Sequence, residues 1–450
     1  MVKLFPFKGI SYNKRVAKNM STLMTPPYDV ISKEDQEKFY NANHYNVIRL
    51  ILGKDFPGDS DINNKYIRAA KFFESWLKHG ILLEDEAPCI YVYEQRYSHK
   101  KQKFVRRGFI SLLRLEELGQ SKVYPHENTL SKPKADRLEL MKICSAQLEP
   151  IFGIYSDKKE KIEKILRKII KRKPTIEVTD DKKIKHRLWK VEKKPLIKKI
   201  AKEMADKVVF IADGHHRYEA TLKFRDEMKD RYQRFSGDEL YNHIMMYFTH
   251  IENKGLNIFP IHRLIHNLPE RDIGSLEDAI KKFFEVQEFG FTRKTEKNQR
   301  KKLMRKLEQE GKTKHAFGLY VRGQNKYYLM TLKDEKIMDK LLKDGKPKEW
   351  RKLDVVIIHT VFINHILGIS DEGVSKEDNI TYVKDENEAF DLVKEGKHQM
   401  ALLLNATKVD QIVEIASEKE LMPQKSTYFY PKLLTGLVMN KINQEDKVAS

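Results

Sequence analysis

The chain has 450 residues, 40% of them hydrophobic and 10% aromatic, which excludes a disordered protein and exceeds what one ordinary core encloses. A net charge of +21 favours polyanions such as nucleic acid, anionic lipid or phosphorylated metabolites, although the basic residues are spread along the chain rather than gathered in one block. Two cysteines, Cys89 and Cys144, exclude a disulfide framework and a cysteine-based zinc site, and no apolar run is long enough to span a bilayer.

Taken in chain order, short apolar strands alternate with amphipathic helices. Ser32 followed by Glu34 and Asp35 opens a helix with a cap and early acids. His44 to Leu52 reads as a strand, and Asn63 to His79 as a helix closed by Gly80. Cys89 to Tyr97 and Phe104 to Leu115 read as long strands paired in a hairpin across a short basic turn. Lys134 to Gln147 is helical and Ile151 to Tyr155 is a short buried strand. From Lys158 to Lys173, Ile162, Ile165, Leu166, Ile169 and Ile170 form one apolar stripe, so the lysines opposite it form a solvated face. Strands at Thr175 to Val178 and His186 to Val191 lead to a helix over Pro195 to Ala205. A strand at Val208 to Ala212 and a helix from about His216 to Lys229 come next. Strands follow at Ile244 to Thr249 and Asn257 to His262. Charged helices at Ser275 to Glu285 and Lys294 to Glu310 precede a hairpin spanning His315 to Thr331. The remainder alternates helix Asp354 to Leu367, strand Ile380 to Val383, helix Asn387 to Glu395, strand Gln399 to Leu404 and helix Lys408 to Ser417. This order predicts a mixed α/β (α+β) protein of three lobes, residues 1–155, 156–252 and 253–450. Met1 to Phe7 carries no signal-peptide stretch, so a reducing cytoplasm is expected.

The sharpest chemical signal is the strand–turn–helix around residue 213. Asp213-Gly214 makes a tight turn, and a helix then begins with His215, His216 and Arg217. The first amides of a helix lack internal partners and form an anion site, to which two histidines and an arginine add donors suited to phosphate oxygens. Asp213 beside phosphates calls for a cation or donor between them, so it is the candidate for Mg²⁺, a ribose hydroxyl or an ammonium group. The competing reading is an ordinary turn capped by Asp213. A zinc site from His126, His215 and His216 is disfavoured, because adjacent histidines diverge. His262 and His266 read as structural. Tyr124-Pro125-His126-Glu127-Asn128-Thr129 is a loop offering His126 and Glu127 as acid–base groups, or simply a helix-capping turn. Met422 to Lys432 places Lys425, Ser426 and Thr427 between prolines and aromatics, where they either grip an anion or pack as a loop. Thr25-Pro26-Pro27-Tyr28-Asp29 is a stiff turn, either a pocket wall or purely structural.

Together these segments resemble, over nearly the whole chain, a bacterial and archaeal family long labelled as a domain of unknown function. The resemblance lies in Pro26-Pro27-Tyr28-Asp29-Val30, Tyr91-Val92-Tyr93-Glu94-Gln95, Arg107-Gly108-Phe109, Pro125-His126-Glu127, Asp213 to Arg217, and Met422 to Pro431. Three of these motifs are also similar, in the same order, to the Pro-His-Glu loop, Asp-Gly-His-His-Arg turn and Pro-Lys-Thr-Thr segment of archaeal ADP-dependent free serine kinases, of the ParB/sulfiredoxin-like superfamily. Here the late segment carries an extra Gln424, and the intervals between motifs are longer.

The resemblance implies a ParB/sulfiredoxin-like nucleotide-binding core with added N- and C-terminal lobes. It also implies an ATP- or ADP-dependent kinase of free L-serine that uses Mg²⁺. In that reading Glu127 is the general base beside His126, and Asp213, Gly214, His215, His216 and Arg217 hold the nucleotide phosphates and metal. Lys425, Ser426 and Thr427 hold the serine or its new phosphate. No nucleic-acid or membrane partner is expected. The alternatives are a ParB-like nucleotide- or nucleic-acid-binding regulator and a kinase of another small hydroxyl compound. The sequence lacks a helix-turn-helix with base-reading side chains, which counts against the regulator.

Overall fold

A computed structural model describes residues 1–16, 19–129, 131–232, 236–269, 275–343, 345–376, 378–443 and 445–449, with the side chains of 375 and 376 left aside. The chain is mixed α/β and divides into two units: Met1–Asn257 together with Pro431–Ser450, and Ile258–Tyr430.

The first unit is built on a nine-stranded sheet. Its strands, in chain order, are β1 (Leu4–Phe5), β2 (Ile90–His99), β3 (Gln102–Arg114), β4 (Val123–Tyr124), β5 (Ile151–Tyr155), β6 (Ile176–Thr179), β7 (Lys185–Val191), β8 (Val209–Asp213) and β9 (His243–His250). Across the sheet they run β4-β8-β5-β9-β3-β2-β7-β6, with β1 added to β3. β2 and β3 form the expected hairpin, in register from Tyr91↔Ile110 to His99↔Gln102. One face carries the core. Val92, Phe109, Ile151, Val209, Ile211, Met246 and Phe248 pack there against helices Lys161–Ile169 and Lys194–Met204 and against Tyr218 of helix His215–Arg231. The stripe Ile162, Ile165, Leu166 and Ile169 is buried as its spacing predicts, with Lys161, Lys164 and Lys168 exposed. The face opposite this core carries polar and aromatic side chains, and the candidate site lies on it.

The two units do not divide at residue 155, the first boundary expected from the sequence. β5 ends there and pairs with β8 and β9, both from beyond it. Pairing of distant segments leaves no local linker to read, because side-chain alternation fixes a strand's faces and not its neighbours. The boundary expected at 252 lies close to Asn257, but Pro431–Ser450 returns to the first unit. Two backbone bridges, Ile10 with Met439 and Thr25 with Thr435, tie this returning segment to the N-terminal part of the unit.

Two local expectations also differ from the structure. His44 to Leu52 contains a short helix, Ile48–Ile51, rather than a strand. The Asn46 side chain accepts from the Ile48 amide at 2.8 Å and donates to the Thr22 carbonyl at 2.7 Å, diverting the backbone from a ladder into a turn. Asp354 to Leu367 begins as an α-helix over Asp354–Ile357 and continues as a π-helix over Ile358–Ile366, a form rare at this length.

The second unit is a six-stranded antiparallel sheet. Its strand order is Phe284–Gly290, Lys326–Leu332, Ala316–Val321, Met400–Leu403, His262–Ile265 and Ile380–Val383. Helices Glu296–Glu310 and Glu386–Lys394 bury Leu303, Leu307, Ala389, Phe390 and Val393 in its core. Among the described residues, no helix is long and apolar enough to cross a membrane.

Candidate active site around Asp213

The site is assembled where β8 ends. A bulge between Ile211 and Asp213 brings Asp213 opposite Phe152, so its carboxylate shares the polar face with that ring. Gly214 comes next at φ +94°, a left-handed conformation that favours glycine, and begins the helix His215–Arg231. A Cβ at this position would come within 2.9 Å of the Arg217 guanidinium, so glycine also makes room for the arginine to fold back.

Asp213 is held by two cations. Lys432 Nζ lies 2.5 Å from Oδ1, and Arg217 Nη2 lies 3.4 Å from Oδ2. Burial alone would raise the Asp213 pKa, but Lys432 and Arg217 outweigh it and hold the carboxyl below an ordinary aspartate. Arg217 also donates to the Pro150 carbonyl at 2.7 Å. Burial works against its charge, but the neighbouring Glu149 and Asp213 keep its pKa above the ordinary value. Glu149 accepts from the Tyr28 amide at 3.2 Å and from Thr435 Oγ1 at 3.1 Å. The Arg137 guanidinium lies 3.9 Å above the Tyr28 ring. The Pro26 to Asp29 turn is thus tied to the charged cluster through the Tyr28 amide and ring.

The Pro125-His126-Glu127 loop docks on the same helix. His126 is wholly buried, and its Nδ1–H donates to the Ile211 carbonyl at 2.6 Å. The His126 amide donates to His215 Nε2 at 3.3 Å, and the two rings meet edge-on at 4.6 Å. Further along the loop, Thr129 Oγ1 donates to Glu219 Oε1 at 2.8 Å and Lys134 Nζ pairs with Glu219 Oε2 at 2.7 Å. Glu127, half-buried, thus sits between two anchors on the first two turns of the helix. His216 is half-buried at the second helical position.

Both anchoring histidines are kept neutral. Burial pushes His126 down to about 4 and His215 well below its ordinary value. His215 Nε2 accepts a hydrogen bond from a backbone amide, so the proton of the neutral ring is on Nδ1. Among the described residues no group of three His, Cys, Asp or Glu side chains is arranged to cage a metal ion. Mg²⁺ needs only one or two carboxylates when nucleotide phosphates supply the other ligands, and both oxygens of the Asp213 carboxylate already face cations, Lys432 and Arg217.

The third expected segment belongs to the unit Ile258–Tyr430. Lys425 is exposed, with φ +58° and its carbonyl accepting from Arg263 Nη2 at 3.2 Å. Ser426 is buried, its hydroxyl donating to the Pro423 carbonyl and its own carbonyl accepting from Thr407 Oγ1 at 2.8 Å. Thr427 is half-buried. In the same unit His262 accepts from the Leu404 amide at 3.2 Å, which fits a structural role.

The family whose members are described as a protein of unknown function (DUF1015) matches residues 4–356. The chain belongs to the DUF1015 family. No curated protein matches it in sequence. Among solved structures, a conserved hypothetical protein from Pyrococcus furiosus is 14% identical with a TM-score of 0.34, over 72% of this chain and 94% of that one. A free serine kinase in complex with AMP is 11% identical with a TM-score of 0.35, over 74% of this chain and 98% of that one. SbnI from Staphylococcus aureus with a C-terminal truncation is 9% identical with a TM-score of 0.33, over 72% and 88%.

In this DUF1015 chain the residues that sequence reasoning missed are Lys432, Glu149, Arg137 and Tyr28 as members of one cluster. Lys432 closes the aromatic-rich segment singled out in the sequence, but nothing local distinguishes it from Lys425.

The neutral histidines predict an acid-sensitive DUF1015 fold. Below the ordinary histidine value of 6.5 the unfolded chain takes up a proton that folded His126 refuses until about pH 4. Stability therefore falls as pH drops through that window, by roughly 2 kcal/mol for His126 at about pH 5, and buried His215 adds in the same direction. Burial places His243 of the same unit at about 4 as well, adding in the same direction. Urea unfolding compared near neutrality and near pH 5 measures the loss. A curve that does not move between the two would show that these histidines are not buried neutral.

Proposed function

We propose that the protein is an ATP-dependent kinase of free L-serine, forming O-phospho-L-serine and ADP. The observation that carries this reading is the docking of the Pro125-His126-Glu127 loop on the start of the helix that follows Asp213-Gly214, through His126 and His215. These are the motifs in which the chain resembles the free serine kinases. Their meeting supports a loop carrying a carboxylate beside a helix start, the pairing that phosphoryl transfer to a hydroxyl requires.

In this reading the serine Oγ attacks the γ-phosphorus while its proton passes to the Glu127 carboxylate. The Oγ–P bond forms, the bond from the γ-phosphorus to the β,γ-bridging oxygen breaks, and ADP leaves with that oxygen. The amides of His215, His216 and Arg217 and the Lys432 ammonium face the phosphate charge. Arg217, bound to Pro150 and Asp213, orients the aspartate. Asp213 would hold Mg²⁺, which when bound neutralises the phosphate oxygens. Neutral His126 and His215 add no charge of their own and serve to seat the loop. The Lys425-Ser426-Thr427 segment is assigned to acceptor binding by the motif resemblance alone, and the ParB/sulfiredoxin-like character of the core has the same support.

The test is incubation of the purified protein with ATP or ADP, Mg²⁺ and a panel of hydroxyl amino acids, followed by phosphorus NMR. The expected result is a phosphomonoester on serine alone. A phosphate on another hydroxyl compound would move the acceptor assignment. No phosphate transfer to any member of the panel would end the kinase reading.

A further inference from the structure

Two hallmark segments, Tyr91 to Gln95 and Arg107 to Phe109, have no part in the chemistry above. Their place in the sheet gives them one. On the polar face Asp213 neighbours Phe152, and Phe152 neighbours Tyr247. The Tyr247 ring lies over Gly108, where any Cβ would come within 2.7 Å of it. Beyond that glycine the register pairs Arg106 with Gln95, and Gln95 with His186.

Arg106 is wholly buried, and among the described residues no carboxylate pairs with it. Its Nε donates to Gln95 Oε1 at 3.0 Å, and its Nη2 donates to the same oxygen and to the Pro431 carbonyl. Gln95 Nε2 in turn donates to the Lys432 carbonyl at 2.8 Å. Two residues before Gln95, Tyr93 Oη accepts from the Leu434 amide at 3.2 Å, and its own proton goes to His186 Nδ1 at 2.6 Å. The backbone from Pro431 to Leu434 is thus gripped at three points by side chains of β2 and β3. A buried guanidinium without an acid partner is a poor source of stability. Its rigid fork of donors is well suited to fixing a backbone. The grip sets the reach of Lys432, whose ammonium meets Asp213 at 2.5 Å.

We propose that Gln95 and Arg106 are positioning residues that hold the carbonyls of Lys432 and Pro431 and so set the Lys432 ammonium on Asp213, fixing the cation that a phosphate at the helix start would meet. The placement of Lys432 concerns the folded chain alone; its value for phosphate transfer rests on the kinase reading.

The two parts are separable by experiment. Gln95→Met keeps the side-chain length and removes both the acceptor for Arg106 and the donor to Lys432. Arg106→Lys keeps the charge and loses the fork, and Arg106→Met loses both. Each variant, checked for fold by circular dichroism, is exposed briefly to an acetylating reagent and the modification at Lys432 is read by mass spectrometry. In the parent protein the pairing with Asp213 and 10% side-chain exposure keep that amine slow to react. Gln95→Met should speed labelling at Lys432 about fivefold, the scale of one lost hydrogen bond to the backbone, with the other lysines unchanged. Arg106→Met should do the same, and Arg106→Lys should restore part of the protection. In turnover the variants, with rates taken per folded protein, should lose kcat with little change in the acceptor KM. If Gln95→Met does not fold, the Arg106 pair carries the test. Unchanged labelling at Lys432 in folded variants overturns the proposal. Faster labelling in a protein that phosphorylates no acceptor upholds the positioning and removes the kinase reading instead.

Discussion

Glu127→Gln is expected to leave the fold intact and to lower kcat by about 10²- to 10⁴-fold, the range associated with losing a general base. The fold should survive because its neighbours hold the loop, His126 to Ile211 and His215 on one side and Thr129 to Glu219 on the other, and glutamine keeps the shape of the glutamate. The substituted amide has nearly the same shape but cannot take the proton of a hydroxyl. Nucleotide binding, measured by calorimetry with ADP, should change little. The informative quantity is the pre-steady-state rate of phosphoserine formation, since slow product release can hide the chemical step in kcat. Near-normal rates in that measurement would remove Glu127 from the chemistry and leave the loop as a helix-capping turn.

Asp213→Ala should have its largest effect on stability. It removes the carboxylate that both Lys432 and Arg217 face inside the first unit. Taking one partner from a buried charge pair typically costs 3–5 kcal/mol, because the remaining cation is left desolvated, so a loss of about 4 kcal/mol in urea unfolding is expected. Arg217 retains Glu149 nearby, whereas Lys432 loses the carboxylate it meets at 2.5 Å. Adding Lys432→Met to Asp213→Ala should therefore recover much of it, and the double-mutant cycle isolates the pair. Asp213 has a depressed pKa, so its contribution is present above the ordinary aspartate value and is lost as pH falls through the folded one. The Asp213→Ala protein should accordingly lose less stability on acidification than its parent. Additive effects in the cycle would mean that the contact at Asp213 contributes nothing.

Much of the local structure was legible because short-range rules govern it. The helix Lys161–Ile169 follows from its apolar stripe, and the strand–turn–helix at residue 213 follows from an apolar run meeting Asp-Gly. The hairpin of β2 and β3 follows from two long apolar runs separated by a basic turn. The strand expected at His44 to Leu52 failed because an apolar run of that length suits either state, and there the Asn46 side chain decides for helix. The candidate site was half legible. Its two motifs were visible as residue types in a suggestive order, and their docking through His126 and His215 required coordinates. Lys432 was illegible as a site residue. It lies 219 positions from Asp213, and pairings as distant as Thr25 with Thr435 and Ile10 with Met439, together with the hydrogen bonds of Gln95 and Arg106 to its backbone, bring the segment back to this unit. Long-range closure of this kind is set by packing across the whole unit and leaves no periodic trace in the chain.

That closure has a consequence for biosynthesis. The polypeptide leaves the ribosome from its amino end, and the stretch Ile258–Tyr430 must be made before Lys432 exists. Until then Asp213 and Arg106 belong to an unfinished domain, one facing no ammonium and the other no Pro431 carbonyl. The first unit of this protein therefore cannot mature while it is being translated, and a nascent chain arrested anywhere short of Pro431 should be readily proteolysed, however well its first two hundred or so residues have collapsed.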